Sequence, residues 1–182
     1  FCSASAFGKV LQKWILQNLT KANRLAFVSQ QTFTQLNRLC FNKSDSQKKW
    51  RVIYNGFNAD FTPMDKEIAY SLIASAGVKT EKSFILHVGS SLPRKNRKLL
   101  LDMVSNLGAT WNGDICYAGE AADSDLLEHM YRLGLQERVV FVVRPDHTTL
   151  VALYSSCEAF VFPSFSEGFG WPIIEAQACG AP

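Results

Sequence analysis

Short apolar runs alternate with longer amphipathic stretches along the carboxyl-terminal part of the chain. The apolar runs are continuous, which is typical of strands buried on both faces of a parallel sheet. Apolar residues at helical spacing between them predict the crossover helices that connect such strands. We therefore predict a doubly wound α/β domain from about residue 65 onward. Its helices are predicted at 65–76, 96–107, 122–134, 146–156 and 171–179, and its strands at 83–88, 114–118, 138–143 and 159–162.

The first predicted element is a basic amphipathic helix over residues 4–21. Its lysines, Lys9, Lys13 and Lys21, lie away from an apolar stripe. Such a helix suits an anionic membrane surface, and it equally suits a domain helix packed on a sheet. We favour the packed helix and keep peripheral membrane contact as the alternative. The apolar stripe consists of Phe7, Val10, Leu11, Trp14, Ile15 and Leu19.

A short strand and a helix are predicted next. The strand covers 24–29 and the helix covers 30–39. Ser29 is the predicted N-cap, because its hydroxyl can accept a hydrogen bond from a backbone N–H of the first turn. The polar, aperiodic run 42–49 predicts an exposed loop.

A further strand is predicted at 51–54, followed by a turn at Asn55-Gly56, because both residues tolerate positive φ. The domain boundary is expected at this turn. Residues 1–54 would then be the end of an amino-terminal Rossmann-like domain and its linker. Residues 55–182 would be an incomplete carboxyl-terminal domain.

Composition limits the class of protein. Of the 182 residues, 47% are hydrophobic, which is sufficient for a sizeable core. A net charge of +3 without a basic stripe does not favour nucleic acid as a partner. The five cysteines have neither zinc-ligand spacing nor the pattern of a disulfide framework, which favours a reduced, cytoplasmic protein.

The ends of the chain predict a fragment of a longer protein. The chain begins at Phe1 without an initiator Met, and it ends at Pro182 directly after the last predicted helix. No apolar run is long enough to span a bilayer.

The loop Gly89–Asn96 carries the first candidate chemistry. It follows the strand 83–88 and holds Arg94 and Lys95 just before a helix predicted to begin near Asn96. A glycine lets a ligand approach the backbone, and two cations near a helix amino end suit a diphosphate. Taken alone, such a pair of cations is more often a solvated surface.

The stretch Phe162–Gly180 holds the second group of candidate site residues. An apolar run enters a loop with Glu167, and a helix with Pro172 near its start leaves that loop. Unpaired N–H groups at a helix amino end form an anion site. Glu175 lies within the first turn and a half, where a carboxylate can simply complement the helix dipole.

These motifs resemble the family 4 retaining glycosyltransferases, which have the GT-B fold. The likeness rests on two glutamates eight positions apart around Gly-Phe-Gly, followed by Glu-Ala-x-Ala-x-Gly-x-Pro. Residues 52–58 are similar to the interdomain segment of that family. Residues 86–89 and 93–96 are similar to its first carboxyl-domain strand and its phosphate loop. The four matches occur in the order that the family has them.

The resemblance implies a site for a nucleotide sugar. It implies that Lys95 holds the donor diphosphate during catalysis, and that Glu175 accepts hydrogen bonds from the ribose hydroxyls. Backbone N–H groups would face the donor sugar or its phosphates at Gly168, Phe169 and Gly170.

One position departs from the family pattern. The family commonly has an arginine directly after the loop glycine, Gly89, where this chain has Ser90. Arg94 is the candidate substitute for that arginine. The resemblance thus implies donor binding by Gly89, Ser90, Arg94 and Lys95.

Glu167 matches the first glutamate of the family pair, near the donor sugar. A carboxylate there can stabilise a developing oxocarbenium ion, or it can act as a nucleophile, as in retaining glycosidases. We favour stabilisation and sugar positioning, and the sequence leaves both roles open.

Weaker candidates lie on neighbouring loops. Gly119 and Glu120 match a family loop near the nucleotide, and Arg144 lies in a segment that usually contacts the base. His87 and His147 are expected to be structural.

The resemblance implies a metal-independent transferase, because cations with helix amino ends can neutralise the diphosphate. The expected donor is a UDP- or GDP-linked sugar, with no further cofactor. The expected acceptor is a hydroxyl of a glycan or lipid. Two alternatives are a non-catalytic nucleotide-sugar-binding module and a sugar-nucleotide epimerase of the same fold. Residues 1–182 alone are expected to be inactive.

Overall fold

The computed structural model describes residues 5–19, 21–39, 50–57 and 60–182. The chain divides into two compact units. The first holds the described residues up to Phe57 together with Glu167–Phe169. The second holds residues 60–166 together with Gly170–Pro182.

In its described residues, the first unit contains two helices and a pair of short parallel strands. In chain order these are α1 (Ala6–Leu19), β1 (Leu25–Phe27), α2 (Gln30–Leu39) and β2 (Trp50–Val52). Aromatic rings form its small core, in which Phe27 and Trp50 have ring centroids 5.5 Å apart. The predicted loop 42–49 lies outside the described residues.

The start of α2 confirms the predicted cap. The backbone N–H of Thr32 donates to Oγ of Ser29 over 3.2 Å, which satisfies one of the unpaired N–H groups of the first turn. The Thr32 hydroxyl in turn donates to the Ser29 carbonyl over 2.9 Å.

Helix α1 packs much less than expected. None of its described residues is buried, and Leu16 is the one that packs against the small core. Phe7 is 77% exposed and Trp14 is 61% exposed. The expectation of a well-packed helix is therefore wrong for most of this stripe within the described residues. No helix among the described residues is long and apolar enough to cross a membrane.

A four-stranded parallel sheet forms the centre of the second unit. Its strands are β3 (Phe84–Gly89), β4 (Asp114–Gly119), β5 (Val139–Val143) and β6 (Ala159–Phe160), in the spatial order β5-β4-β3-β6. All neighbouring pairs are parallel, so the predicted architecture is confirmed. The helices are α3 (Lys66–Ser75), α4 (Lys98–Leu107), α5 (Ser124–Arg132), α6 (His147–Ser156) and α7 (Trp171–Ala178).

Two apolar clusters cover the two faces of this sheet. Leu86 belongs to the cluster that includes residues of α3, α6 and α7. Ile85, its neighbour on β3, belongs to the cluster that includes residues of α4 and α5. Successive side chains of a strand point to opposite faces, so burial on both sides requires the continuous apolar runs seen in the sequence.

Two local predictions were wrong. Neither Asn55 nor Gly56 has positive φ, and residues 53–57 after β2 form no turn. A parallel strand pair needs no hairpin at this point. Helix α4 begins at Lys98, two residues after the predicted start, because Asn96 adopts the left-handed conformation with φ of 51°.

Candidate functional site

The strand order reverses between β3 and β6. After β3 the chain continues to β4 and β5 on one side, and then returns to place β6 on the other side. Loops leaving the carboxyl ends of two such strands diverge and form a crevice, which is where open α/β sheets bind ligands. The two candidate loops, Gly89–Asn96 and the stretch after Phe160, are the loops at this switch point.

Lys95 is held in a short 3₁₀ helix, Pro93–Lys95, after β3. Its side chain is buried, and Nζ lies 4.9 Å from the ring centroid of Phe162 on the neighbouring loop. A Cβ added at Gly89 would lie 3.3 Å from Cε of Lys95, so a larger residue would crowd the lysine stem. The absence of a side chain at Gly89 therefore leaves room for the lysine stem.

Hydrogen bonds connect the two loops of the crevice. The Phe165 N–H donates to the Arg94 carbonyl over 2.9 Å, and Nη1 of Arg94 donates to the Ser166 carbonyl over 3.3 Å. Nδ2 of Asn96 donates to the Pro163 carbonyl over 3.3 Å. The structure therefore brings Gly89, Arg94 and Lys95 together with the loop after β6.

Glu120 holds the first loop from the side of β4. Its Oε2 accepts from the backbone N–H and from the hydroxyl of Ser91, each over 2.8 Å. These hydrogen bonds from Ser91 are the main cause of a lowered pKa at the Glu120 carboxyl. Ser90, the adjacent residue, is half-buried at the end of β3. Glu120 is thus a neighbour of the candidate phosphate loop, and its described contacts are with that loop.

Position 119 must be glycine because the backbone of Gly89 approaches it closely. It has φ of +124°, and a Cβ built there would overlap the carbonyl oxygen of Gly89. The N–H of Arg144 donates to the Gly119 carbonyl over 2.7 Å, and Arg144 itself has φ of 50°. The carboxyl ends of β3, β4 and β5 therefore contact each other on the side of the sheet where the candidate loops lie.

Arg97 is a buried cation that the sequence analysis did not identify. Its guanidinium carbon lies 5.3 Å from the ring centroid of Tyr117, and Nη1 donates to the Ala121 carbonyl over 3.2 Å. The Tyr117 hydroxyl donates to the Arg97 carbonyl over 2.8 Å. Desolvation lowers the pKa of Arg97, although nearby Asp123 opposes that shift. Arg97 directly follows Asn96 in the sequence, and its place next to the candidate phosphate loop could have marked it as a further cation of that loop.

Helix α7 begins at the other wall of the crevice. Gly170 is its N-cap with φ of 93°, and Pro172 lies in the first turn. Glu175 follows in the next turn, half-buried, and its Oε2 accepts a hydrogen bond from the Tyr154 hydroxyl over 2.9 Å. A carboxylate is thus fixed close to the amino end of a helix, and its predicted contact with ribose stays a prediction.

Glu167, Gly168 and Phe169 belong to the first unit by their contacts. Glu167 and Phe169 are half-buried, and Gly168 is exposed. The predicted placement of Glu167 near the donor sugar stays a prediction.

Both histidines named in the sequence analysis contact backbone. Nδ1 of His87 lies 3.1 Å from the Val161 carbonyl oxygen, which connects β3 to the chain after β6. Nε2 of His147 lies 3.1 Å from the Asp60 carbonyl oxygen. These contacts fit the structural role expected for both residues.

Metal ligands do not converge among the described residues. No group of three or more His, Cys, Asp or Glu side chains there could hold a metal ion. Cys116, Cys157 and Cys179 are buried thiols, and burial raises the pKa of Cys116 to about 12. Cys2 and Cys40 lie outside the described residues.

Solved structures with this architecture include glycosyltransferases. The Anabaena protein HepE, solved in complex with UDP and glucose, matches with a TM-score of 0.76 at 24% identity, over 92% of this chain and 46% of that chain. Sucrose-phosphate synthase from Thermosynechococcus elongatus matches with a TM-score of 0.74 at 26% identity, over 99% of this chain and 44% of that chain. The fold is of the GT-B glycosyltransferase type.

Residues 71–182 match the family described as glycosyl transferases group 1, and the chain belongs to that family. An uncharacterized glycosyltransferase of Methanocaldococcus jannaschii is 32% identical over 79% of this chain. D-inositol 3-phosphate glycosyltransferase of Mycobacterium sp. strain KMS is 33% identical over 72% of this chain. The matched regions span 38% and 30% of these two relatives, so the chain corresponds to a part of their length.

Proposed function

We propose that this chain carries the donor-binding part of a retaining glycosyltransferase that takes a sugar from a UDP- or GDP-linked donor. The observation that carries this proposal is the placement of two residues at the switch point: the buried Lys95 on the loop after β3, and the carboxylate of Glu175, held by Tyr154, near the start of α7. A diphosphate needs cations and N–H donors, and a ribose needs a fixed acceptor for its hydroxyls.

Each wall has a separate task in this proposal. The loop Gly89–Lys95 binds the diphosphate, with the ammonium of Lys95 following negative charge onto the leaving phosphate. Arg94 contributes charge where the family commonly has an arginine at the position of Ser90. Glu175 binds the ribose, and the amino end of α7 faces the phosphates or the sugar.

The transfer step exchanges one bond for another. The acceptor hydroxyl oxygen forms a bond to the anomeric carbon as the bond from that carbon to the diphosphate breaks. The hydroxyl proton passes to the leaving phosphate, so no external base and no metal ion are needed. Glu167 either stabilises the oxocarbenium-like sugar or attacks it first, and we favour stabilisation.

The relatives and neighbours support a nucleotide donor and a hydroxyl acceptor. HepE was solved with UDP and glucose, and the mycobacterial relative is a D-inositol 3-phosphate glycosyltransferase. For this protein we propose a glycan or lipid hydroxyl as acceptor. Residues 1–182 alone should bind nucleotide weakly and transfer no sugar, because the matched regions span 38% and 30% of two relatives and we place the acceptor side in the remaining part of such a protein.

Calorimetry and product analysis on the full-length protein test this function. We expect UDP or GDP to bind, and we expect Glu175→Gln to weaken that binding about tenfold through loss of charge-assisted hydrogen bonds. Glu128→Gln, at an exposed position of α5, is the matched control and should bind as the wild type does. Absence of nucleotide binding in the wild-type protein would contradict the proposal.

The anomeric configuration of the product tests the retaining mechanism. We expect NMR to show the same configuration in donor and product, and Glu167→Gln to slow transfer without abolishing donor binding. Inverted product would exclude a retaining mechanism. Binding of the donor without any turnover would instead favour the non-catalytic module, for which Ser90 is the motivating observation.

A further inference from the structure

Tyr154 is a buried tyrosine to which the proposed function assigns no role. It lies on α6, has 0% of its surface exposed, and its hydroxyl donates to Oε2 of Glu175 over 2.9 Å. Burial, reinforced by the adjacent carboxylate, strongly raises the pKa of the phenol. The hydroxyl therefore keeps its proton and acts as a fixed donor.

Aromatic packing fixes the ring that carries this hydroxyl. The ring centroid of Phe160 lies 5.5 Å away and that of Phe61 lies 6.0 Å away, each at an interplanar angle of 73°. Such edge-to-face contacts hold a ring in one orientation. Since α6 also packs on α7, the position of the Tyr154 oxygen is determined by the core of the second unit.

Glu175 needs this support because its side chain is long. A helix positions the backbone of a glutamate, but three side-chain torsions still have to be ordered before its carboxylate can receive a ligand. The hydrogen bond from Tyr154 occupies Oε2 and leaves the lone pairs of Oε1 for other donors. A carboxylate held in this way loses less conformational entropy when the ligand binds.

We propose that Tyr154 is the positioning residue of the ribose site: it holds Oε2 of Glu175 so that Oε1 accepts hydrogen bonds from the ribose hydroxyls of the donor. The inference rests on the proposed function, because it requires that Glu175 contacts ribose. It adds a residue 21 positions earlier in the chain, on a different helix.

Matched ligands separate this role from a general structural one. We would measure the Kd of the full-length protein for UDP or GDP, whichever binds, and for the same nucleoside diphosphate lacking the 2′- and 3′-hydroxyls. In Tyr154→Phe we expect about a tenfold loss of affinity for the ribose form, because Glu175 loses the hydrogen bond that positions it for the ribose hydroxyls. The affinity for the dideoxy form should not change. Tyr131→Phe, at a 64% exposed position of α5, should leave both affinities unchanged.

A double-mutant cycle tests whether Tyr154 acts through Glu175. Once Glu175→Ala has removed the carboxylate, adding Tyr154→Phe should produce no further loss for the ribose form. Calorimetric stoichiometry gives the fraction of folded protein for every variant, so partial unfolding cannot imitate this result.

Three outcomes would overturn the inference. Equal losses for the ribose and dideoxy forms would make Tyr154 a general structural residue. Unchanged affinities for both forms in Tyr154→Phe would refute the positioning role while leaving the proposed function intact. A wild-type protein that binds no nucleoside diphosphate would overturn the proposed function and this inference together.

Discussion

The cations at the two ends of the parallel sheet have different contacts: Arg138 is half-buried at the amino end, and Lys95 is buried at the carboxyl end. At the amino end, Arg138 donates to the Gly113 carbonyl over 3.0 and 2.7 Å and to the Trp111 carbonyl over 2.8 Å. At the carboxyl end, the ammonium of Lys95 lies over the ring of Phe162, and the described residues give Nε and Nη2 of Arg97 no hydrogen-bond partner. One end uses its cation to bind the chain itself, whereas the other places positive charge beside a crevice.

This difference separates structural charge from charge suited to an anionic ligand. A guanidinium that satisfies three hydrogen bonds to carbonyls has little capacity left for a ligand. Substituting the cation at the amino end should therefore reduce stability, while substituting Lys95 at the carboxyl end should change nucleotide binding.

The largest effect is expected at Gly119, because it affects both properties. In Gly119→Ala the new Cβ would overlap the Gly89 carbonyl oxygen and force an unfavourable φ, so we expect roughly 3 kcal/mol of destabilisation. Chemical denaturation measures this loss. Gly134→Ala, at a φ of +68° with no atom near the new Cβ, is the control and should cost about 1 kcal/mol. Equal costs at both glycines would show that the close approach of β3 and β4 is not a constraint.

Lys95→Met should change function without reducing stability. The methionine keeps an unbranched stem against Phe162 but removes the ammonium, so we expect about a 100-fold fall in kcat/KM, or about 2.7 kcal/mol. The melting temperature should stay the same or rise, since a buried charge is removed. Unchanged kinetics with a lowered melting temperature would reverse the assignment of this lysine.

Arg138→Met should have the opposite profile. Loss of the hydrogen bonds to Gly113 and Trp111 leaves carbonyl groups unpaired, so we expect about 2 kcal/mol of destabilisation by chemical denaturation. Nucleotide affinity, measured by calorimetry on the same sample, should stay within error of the wild type. A loss of affinity in this variant would remove the distinction between the two ends of the sheet.

The smallest effect is a pH dependence at Glu120. Its pKa is lowered in the folded protein by the hydrogen bonds from Ser91, so its stabilising contribution is present above the unfolded pKa and is lost as pH falls through the folded pKa. Thermal melting between neutral and acidic pH should therefore show a wild type that is slightly more stable than Glu120→Gln at neutral pH. The difference should vanish in acid, and a difference that grows in acid would show that the Ser91 hydrogen bonds do not lower this pKa.

Local pattern predicted most of this fold. Continuous apolar runs identified β3 to β6, and helical spacing identified the helices around them, because both faces of a parallel sheet must be covered. Asn96 could have indicated the late start of α4, since asparagine is one of the few residues that readily adopt the left-handed conformation. The prediction of a turn at Asn55-Gly56 was wrong, because a residue that tolerates positive φ does not have to adopt it.

The partners of the site residues could not be predicted from sequence. Tyr154 reaches Glu175 only through the packing of α6 on α7, and Arg97 meets Tyr117 only through the register of β4 with the chain after β3. Such contacts depend on side-chain packing between elements that are distant along the chain. The motif provided the candidate site residues, whereas the residues that contact and support them could be found only in the structure.

A crystal structure of the full-length protein with the nucleoside diphosphate it binds tests the central claim most directly. We predict the diphosphate on the loop Gly89–Lys95, with Lys95 in contact with its phosphates. The ribose hydroxyls should lie within hydrogen-bond distance of Glu175, whose other carboxylate oxygen remains bonded to Tyr154. A nucleotide bound away from the carboxyl ends of β3 and β6 would contradict the account.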